Sequence, residues 1–364
     1  MTAQKPRIIA FYLPQFHPIP ENDLWWGKGF TEWTNVGKAK PLFRGHYQPR
    51  VPADLGYYDL RLPESRAAQA AMAKAYGVEG FCYWHYWFGN GKRLLERPFH
   101  EVLESGEPDF PFCLGWANHS WEDKQFKKGG TNKLLIKQEY PGDEDYRQHF
   151  LYVLKAFRDP RYLSVDDKPI FFIHGTKDFD VAYFIRFWQQ LALEHGLKGV
   201  HFVANCHDEK DIDHLRSLGF DAVNVVRLFH FMKHEYSLLE RMLTKFSRLY
   251  LKRGRVVDYR KYFKYFVGPE DKRADCYPSI FPNWDHSPRS GRGGHIFTHS
   301  SPAPFKKHVQ QVLKLVMEKP ENSRLVFLRS WNEWAEGNYM EPDLKFGRGY
   351  LEALKEALDE IGEA

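Results

Sequence analysis

Eight short runs rich in β-branched and aromatic residues recur along this chain, at 8–13, 78–84, 112–116, 170–174, 200–205, 222–226, 276–281 and 325–328. Most stretches between them carry helical periodicity. Pro63 and Glu64 open an alanine-rich helix that runs to Tyr76 and stops at Gly77. The segments 144–157, 182–195, 211–218 and 305–317 follow the same plan, the second stopped by Gly196 and the third by Gly219, and 348–361 closes the chain. Strands alternating with helices specify an α/β protein with a parallel sheet. Eight strands close a barrel, so the expected fold is a (β/α)8 TIM barrel. Its rival, an open doubly wound sheet, would carry a G-x-G-x-x-G after the first run, and none is present. A barrel of this kind routinely exceeds roughly 250 residues as one unit, so 1–364 reads as a single domain. A hydrophobic fraction of 43% is enough to fill its core.

Two excursions interrupt the alternation. The first, 14–52, is a long aromatic-rich loop after strand 1 that holds Trp25, Trp26 and Trp33. A loop of that length is either functional or disordered, and its aromatic content argues against disorder. The second, 232–275, is a basic insertion between strands 6 and 7. In it Leu238, Leu239, Met242, Leu243, Phe246, Leu249 and Tyr250 recur at helical spacing. Lys245, Arg248, Lys252, Arg253, Arg255, Arg260, Lys261 and Lys264 supply its charge. A basic amphipathic stretch suits an anionic membrane surface and a lipid-linked glycan; a helix packed on the barrel is the other reading.

Several function classes drop out. A net charge of +5, from 52 basic and 47 acidic residues, is too mild and too mixed for a nucleic-acid partner. Cys82, Cys113, Cys206 and Cys276 lie in or beside apolar runs without a C-x-x-C, which marks free core thiols. The chain lacks G-x-x-x-x-G-K-[ST], H-E-x-x-H and G-x-S-x-G, and its histidines lack metal-ligand spacing. The expectation is therefore no metal and no cofactor. The start, Met1 to Arg7, is polar and no apolar h-region follows. The expected compartment is the cytoplasm, peripheral to the inner membrane if the insertion meets lipid.

The feature richest in chemistry is Ser330-Trp331-Asn332-Glu333-Trp334-Ala335-Glu336-Gly337, just after the last strand-like run. On a helical turn, carboxylates three residues apart share a face, with Cβ atoms roughly 5–6 Å apart. Cleaving a bond between sugars takes such a carboxyl pair, one group to protonate the leaving oxygen and one to handle the other side of the reaction. Ordinary acidic residues at a helix start would explain the spacing too. The flanking indoles tip the reading toward a sugar platform. In a TIM barrel the site lies at the C-terminal ends of the strands. Those ends carry Gln15 and His17; His85, Tyr86 and Trp87; Trp116 and Asn118; His174; Asn205 and His207; Asn283 and Trp284; and Asn332 with Trp334. With Trp25, Trp26 and Trp33 covering sugar faces, these are the expected substrate-binding residues, and Glu333 and Glu336 the catalytic ones. The stretch Arg289-Ser290-Gly291-Arg292-Gly293-Gly294-His295 forms either a flexible loop or an anion-binding nest.

Segments at 11–17 (Phe-Tyr-Leu-Pro-Gln-Phe-His), 25–36, 80–88, 110–118 and 331–337 together resemble the WbsX-type family. That family is described as glycosyltransferases of bacterial surface-polysaccharide clusters. It is similar in turn to glycoside hydrolase family ninety-nine, retaining endo-α-mannosidases built on a (β/α)8 barrel. The resemblance spans nearly the whole chain and is weakest over 232–275. By analogy with the hydrolases it implies that Glu333 assists attack by the substrate's own 2-hydroxyl and that Glu336 is the acid/base. That route needs O2 trans to the leaving group, as in an α-mannoside. One departure stands out: sequences of this type commonly read W-A-N-E where this chain reads Trp116-Ala117-Asn118-His119.

Three readings follow. The first is a retaining glycosidase or transglycosidase of a bacterial polysaccharide, using the glutamate pair. The second is a glycosyltransferase of cell-surface polysaccharide (O-antigen) assembly, in which 289–295 would hold a donor phosphate. The third is a catalytically idle carbohydrate-binding barrel. Chemistry favours the first, because the chain shows no recognisable nucleotide-sugar site.

Overall fold

The computed structural model describes residues 5–123, 133–237, 240–242, 250 and 255–362. Its centre is a closed barrel of eight parallel strands: β1 (Arg7–Tyr12), β2 (Gly80–His85), β3 (Phe112–Trp116), β4 (Lys168–Ile173), β5 (His201–Cys206), β6 (Ala222–Val225), β7 (Cys276–Ile280) and β8 (Leu325–Leu328). Each strand pairs with the next, and β8 returns to β1 through the register Arg7↔Leu325 to Ala10↔Leu328. The TIM barrel read from the alternation is the fold of the chain.

The strands are short, apolar and rich in Val, Ile and Phe because both of their faces are covered. Inside, Phe11, Phe172 and Phe327 meet with ring centroids 4.9–5.5 Å apart. These three side chains make the barrel a packed core rather than a pore. Outside lie α1 (Pro63–Ala75), α2 (Arg97–Ser105), α3 (Asp143–Phe157), α4 (Val181–Glu194), α5 (Ile212–Ser217), α6 (Pro302–Met317) and α7 (Gly349–Gly362). Helix α2 was not expected from the sequence. It is one short helix of nine residues opened by Arg97-Pro98, too brief for its period to stand out. All four cysteines are free and buried.

Between β6 and β7 the chain leaves the barrel and, together with Phe281 and Phe297 beyond β7, builds a smaller aromatic core of Leu228, Phe231, Val257, Tyr259, Tyr262 and Phe266. Residues Arg255–Asp258 form a strand parallel to His295–Thr298, an element that the helical spacing of 232–275 did not foretell. Most of that spacing (Leu238, Leu239, Leu243, Phe246 and Leu249, with Lys245, Arg248, Lys252 and Arg253) lies outside the described residues. Met242 and Tyr250 are exposed. Of the basic residues that are described, Arg260 pairs with Asp258 and Lys261 with Glu240. None of the helices among the described residues is long and apolar enough to cross a membrane.

Candidate active site

A cavity of about 580 Å³ opens at the C-terminal ends of the strands. Parallel strands all deliver their following loops to this end, which is why residues far apart in sequence meet here. After β8 the chain makes a tight hairpin, Asn332–Glu333 against Asn338–Tyr339, closed by a single 3-10 turn, Trp334–Glu336. Asn332 anchors that hairpin to β1: its side-chain oxygen accepts from the Leu13 backbone N–H at 2.7 Å, and its Nδ2 donates to the Leu13 carbonyl at 3.0 Å. The indole of Trp334 donates to Glu341 at 2.5 Å and stacks on Tyr339 at 3.8 Å between centroids. Both are structural supports for the two glutamates.

Glu333 and Glu336 share one cation. Nη1 of Arg289 donates to Glu336, Nη2 donates to Glu333 at 3.2 Å, and Nε donates to the fully buried Glu32 at 2.8 Å. His286 stands 3.5 Å from Glu336. This clamp separates the two acids. Burial, together with the charge of Glu336, pushes Glu333 up to about 8, against the pull of Arg289. Burial would raise Glu336 as well, but Arg289 and His286 override it and hold that carboxyl down to about 2. The two carboxyls are thus driven apart: burial and the neighbouring charge favour the neutral form of Glu333, and Arg289 and His286 favour the ionised form of Glu336. The family resemblance, which makes Glu336 the acid/base, implies the opposite order. The reversal arises because Arg289 and His286 converge on Glu336, while Glu333 receives only one longer bond.

Of the residues expected from the sequence, Gln15, Tyr86, His174, His207, Trp284, Glu333 and Glu336 line the cavity. Trp25 stands at its edge, its ring 6.0 Å from that of Trp121, which lines it. The rest do not line the cavity; they support the loops that do. His17 is tied to the Pro14 carbonyl at 2.9 Å, and Trp26 packs on Phe30. Trp33 donates to the Tyr58 carbonyl at 2.8 Å and packs under Trp334. His85 meets His149 at 2.8 Å; Trp87 stacks on His149, and its indole donates to Asp145 at 3.1 Å. Trp116 donates to the Trp87 carbonyl, and Asn118 exchanges two hydrogen bonds with the backbone of Gly175. Asn205 bridges His207 and Arg329, and Asn283 donates to the Gly337 carbonyl at 2.9 Å. Amides and indoles at strand ends look alike in sequence whether they meet ligand or backbone.

Cavity groups not named as site residues include Arg289, a carboxylate clamp backed by Glu32, together with His286, and Arg329 on the cavity floor. A cation one residue beyond a buried apolar strand, as at Arg329, is the signal that could have found the last. The stretch 289–295 reads from sequence as a flexible loop or an anion-binding nest; in the structure the guanidinium of Arg289 is occupied by three carboxylates. As for metals, Asp208, Glu209 and His230 are the one group of three described ligating side chains that could share an ion, with ligand atoms within 4.8 Å of one another. Acidic groups at a rim commonly stand without an ion, and this geometry alone assigns none.

The model of a family described as Glycosyltransferase WbsX matches residues 8–354. The chain is 36% identical over 354 residues to the uncharacterized protein WxcX of Xanthomonas campestris pv. campestris, in each of two strains. That match covers 96% of this chain and 49% of the relative, so the chain spans about half the length of the curated relatives it matches. Among solved structures it superposes on a GH99 endo-alpha-mannosidase from Bacteroides thetaiotaomicron with a TM-score of 0.60 at 13% identity, covering 98% of both chains. A second, titled a glycoside hydrolase-like protein, gives 0.59 at 16% identity, covering 98% of this chain and 95% of that one. At such identities the likeness is one of fold.

Proposed function

The chain belongs to the Glycosyltransferase WbsX family, and on that premise we propose that it acts on glycosidic bonds of a bacterial polysaccharide through Glu333 and Glu336. The observation that carries this reading is the polarised acid pair: two carboxyls on one guanidinium, facing a cavity, with their proton affinities driven in opposite directions. Glu333 donates its proton to the glycosidic oxygen, and the leaving sugar departs as an alcohol. Glu336, held as the carboxylate, supports attack at the anomeric carbon, either directly or by taking the proton of the sugar's own 2-hydroxyl. Glu333 then deprotonates the incoming hydroxyl as it attacks the anomeric carbon; this breaks the bond to Glu336 in the direct route, or opens the ring formed through O2 in the other, with Glu336 returning its proton to O2, and the cycle closes. Carboxyls bound to two nitrogens of one guanidinium are neighbours, which favours retention; an inverting pair stands roughly 6.5–9.5 Å apart to admit a water.

The second step decides between hydrolysis and transfer. Water yields a glycosidase, whereas a sugar hydroxyl held in the cavity yields a transglycosidase. The family's description favours transfer, and the engagement of Arg289 by carboxylates weakens a route through a nucleotide donor at that residue. An α-mannoside is the first substrate to test, since a protein of similar fold is titled an endo-alpha-mannosidase.

Glu333→Gln and Glu336→Gln should each lower turnover by about 10²–10⁴-fold on a polysaccharide substrate while leaving the fold intact. An aryl α-mannoside with a good leaving group needs little protonation, so it should restore Glu333→Gln and not Glu336→Gln. The opposite rescue would return the roles to those implied by the family resemblance. Full activity in either variant would end the two-carboxylate mechanism.

A further inference from the structure

The cavity holds two arginines in opposite electrostatic situations. Arg289 is met by three carboxylates. Arg329 is met by none among the described residues: its Nη2 donates to the amide oxygens of Asn205 and Asn224, both at 2.8 Å. Its Nε is buried without a partner, and its guanidinium lies over Phe11, 4.5 Å from the ring centroid. Amide oxygens and an aromatic face satisfy donors but do not neutralise a charge. A cation drawn from water into such a place is stabilised when an anion joins it.

Its neighbours across the barrel have the same bias. His119, His174 and His207 follow β3, β4 and β5, on the side away from β8, and all three line the cavity with Arg329. The rings of His119 and His174 lie 5.3 Å apart, and Nδ1 of His119 is buried without a partner. Burial lowers all three imidazoles below their usual range. Each therefore offers an N–H donor without adding a charge that would repel Arg329. The cavity has an acidic wall, where bonds to sugar would be broken, and a donor-rich wall around a cation that feels Glu333 and Glu336 only at a distance and that no carboxylate of the described residues touches.

We propose that this second wall binds an anionic group carried by the glycan, with a carboxylate or phosphate seated on Arg329 between His119, His174 and His207. The substrate class would then be an acidic saccharide: one containing a uronic acid, or one bearing a sugar phosphate. This rests on the reading of the cavity as a glycan site, but not on Glu333 and Glu336 performing chemistry.

Binding, measured without turnover, tests it. Calorimetry would compare methyl α-mannosiduronate with methyl α-mannoside, and mannose 6-phosphate with mannose. At least one anionic sugar should bind about tenfold or more tighter than its neutral counterpart. Preference for the uronate assigns a carboxylate, and preference for the phosphate assigns a phosphoryl group. Arg329→Gln should erase the preference and Arg329→Lys should retain part of it. If Arg329→Gln fails to fold, His207→Ala probes the same wall and should weaken the preference. Equal affinity for acidic and neutral sugars, no binding of either acidic sugar, or a preference that survives Arg329→Gln would overturn the proposal. In the last case Arg329 serves only to balance the glutamates. Loss of hydrolysis or transfer in glutamate variants would leave these affinities readable, so the two proposals can fail separately.

Discussion

Arg289 decides what the glutamates can do. Without it, three buried carboxyls would face one another, and neighbouring like charges force protonation. With it, one carboxylate is stabilised and the other is driven toward its neutral form, which is the division of labour that acid–base catalysis needs. That arrangement carries a stability cost. Glu333 has an ordinary value of 4.5 in the unfolded chain and is raised to about 8 in the folded one. Between those values the folded state binds more protons than the unfolded state, so stability falls as pH rises from about 4.5 to about 8. Glu333→Gln removes the titration. It should stabilise the protein at pH 8, with little effect near pH 4.5. Thermal melts at the two pH values would check this, and a pH-independent gain would contradict it.

At the scale of the element, the hairpin after β8 is the critical piece, and Gly337 is its pivot. This residue ends the 3-10 turn at φ +60°, and an added Cβ would come 2.7 Å from Cβ of Asp285. A side chain there is therefore strained twice, by backbone conformation and by contact. Gly337→Ala should cost about 1–3 kcal/mol and displace Glu336, whose carbonyl accepts from the Asp285 N–H at 2.6 Å. Activity should fall further than the shift in melting temperature alone would explain, and assays run well below the melting temperature would separate the two effects. Much of the element plan was legible in the sequence. All eight barrel runs coincide with strands to within a few residues, because a strand buried on both faces leaves an unbroken apolar signature. The glutamates were legible too, as acids in a poor surface context. The short helix α2 and the strand Arg255–Asp258 were not. Their residues fit more than one local structure, and packing against the barrel makes the choice.

At the scale of the whole molecule, the loop after β1 is latched to the loop after β7. The buried carboxylate of Asp285 accepts from Gln48 at 2.8 Å, lies 2.8 Å from Nε2 of His46, and stands 3.7 Å from Arg50. Burial would raise Asp285, yet His46 and Arg50 pull it down to about 2. A depressed carboxyl contributes stability that is present above its unfolded value and lost as pH falls through the folded one, so the latch should hold until strongly acidic pH. Asp285→Ala would leave the buried Arg50 without its carboxylate and should cost about 3–5 kcal/mol. Hydrogen exchange should show the amides of 46–50 losing protection before those of the barrel strands. Simultaneous loss throughout would mean that the latch is part of the barrel's own cooperative unit.

The alternation of apolar runs and helical periods determined the barrel, and with it the end of the molecule where a site must lie, because both depend on local composition and on the geometry of parallel strands. Local patterns also marked Glu333 and Glu336. Tertiary structure alone decided which aromatic and amide side chains face the cavity and which support it, since Trp25 and Trp33 differ in their neighbours and not in their type. It also decided in which direction each glutamate's proton affinity is shifted. That depends on where Arg289, 44 positions before Glu333 and 47 before Glu336, places its two terminal nitrogens, and an electrostatic field over a few ångströms has no counterpart in sequence spacing.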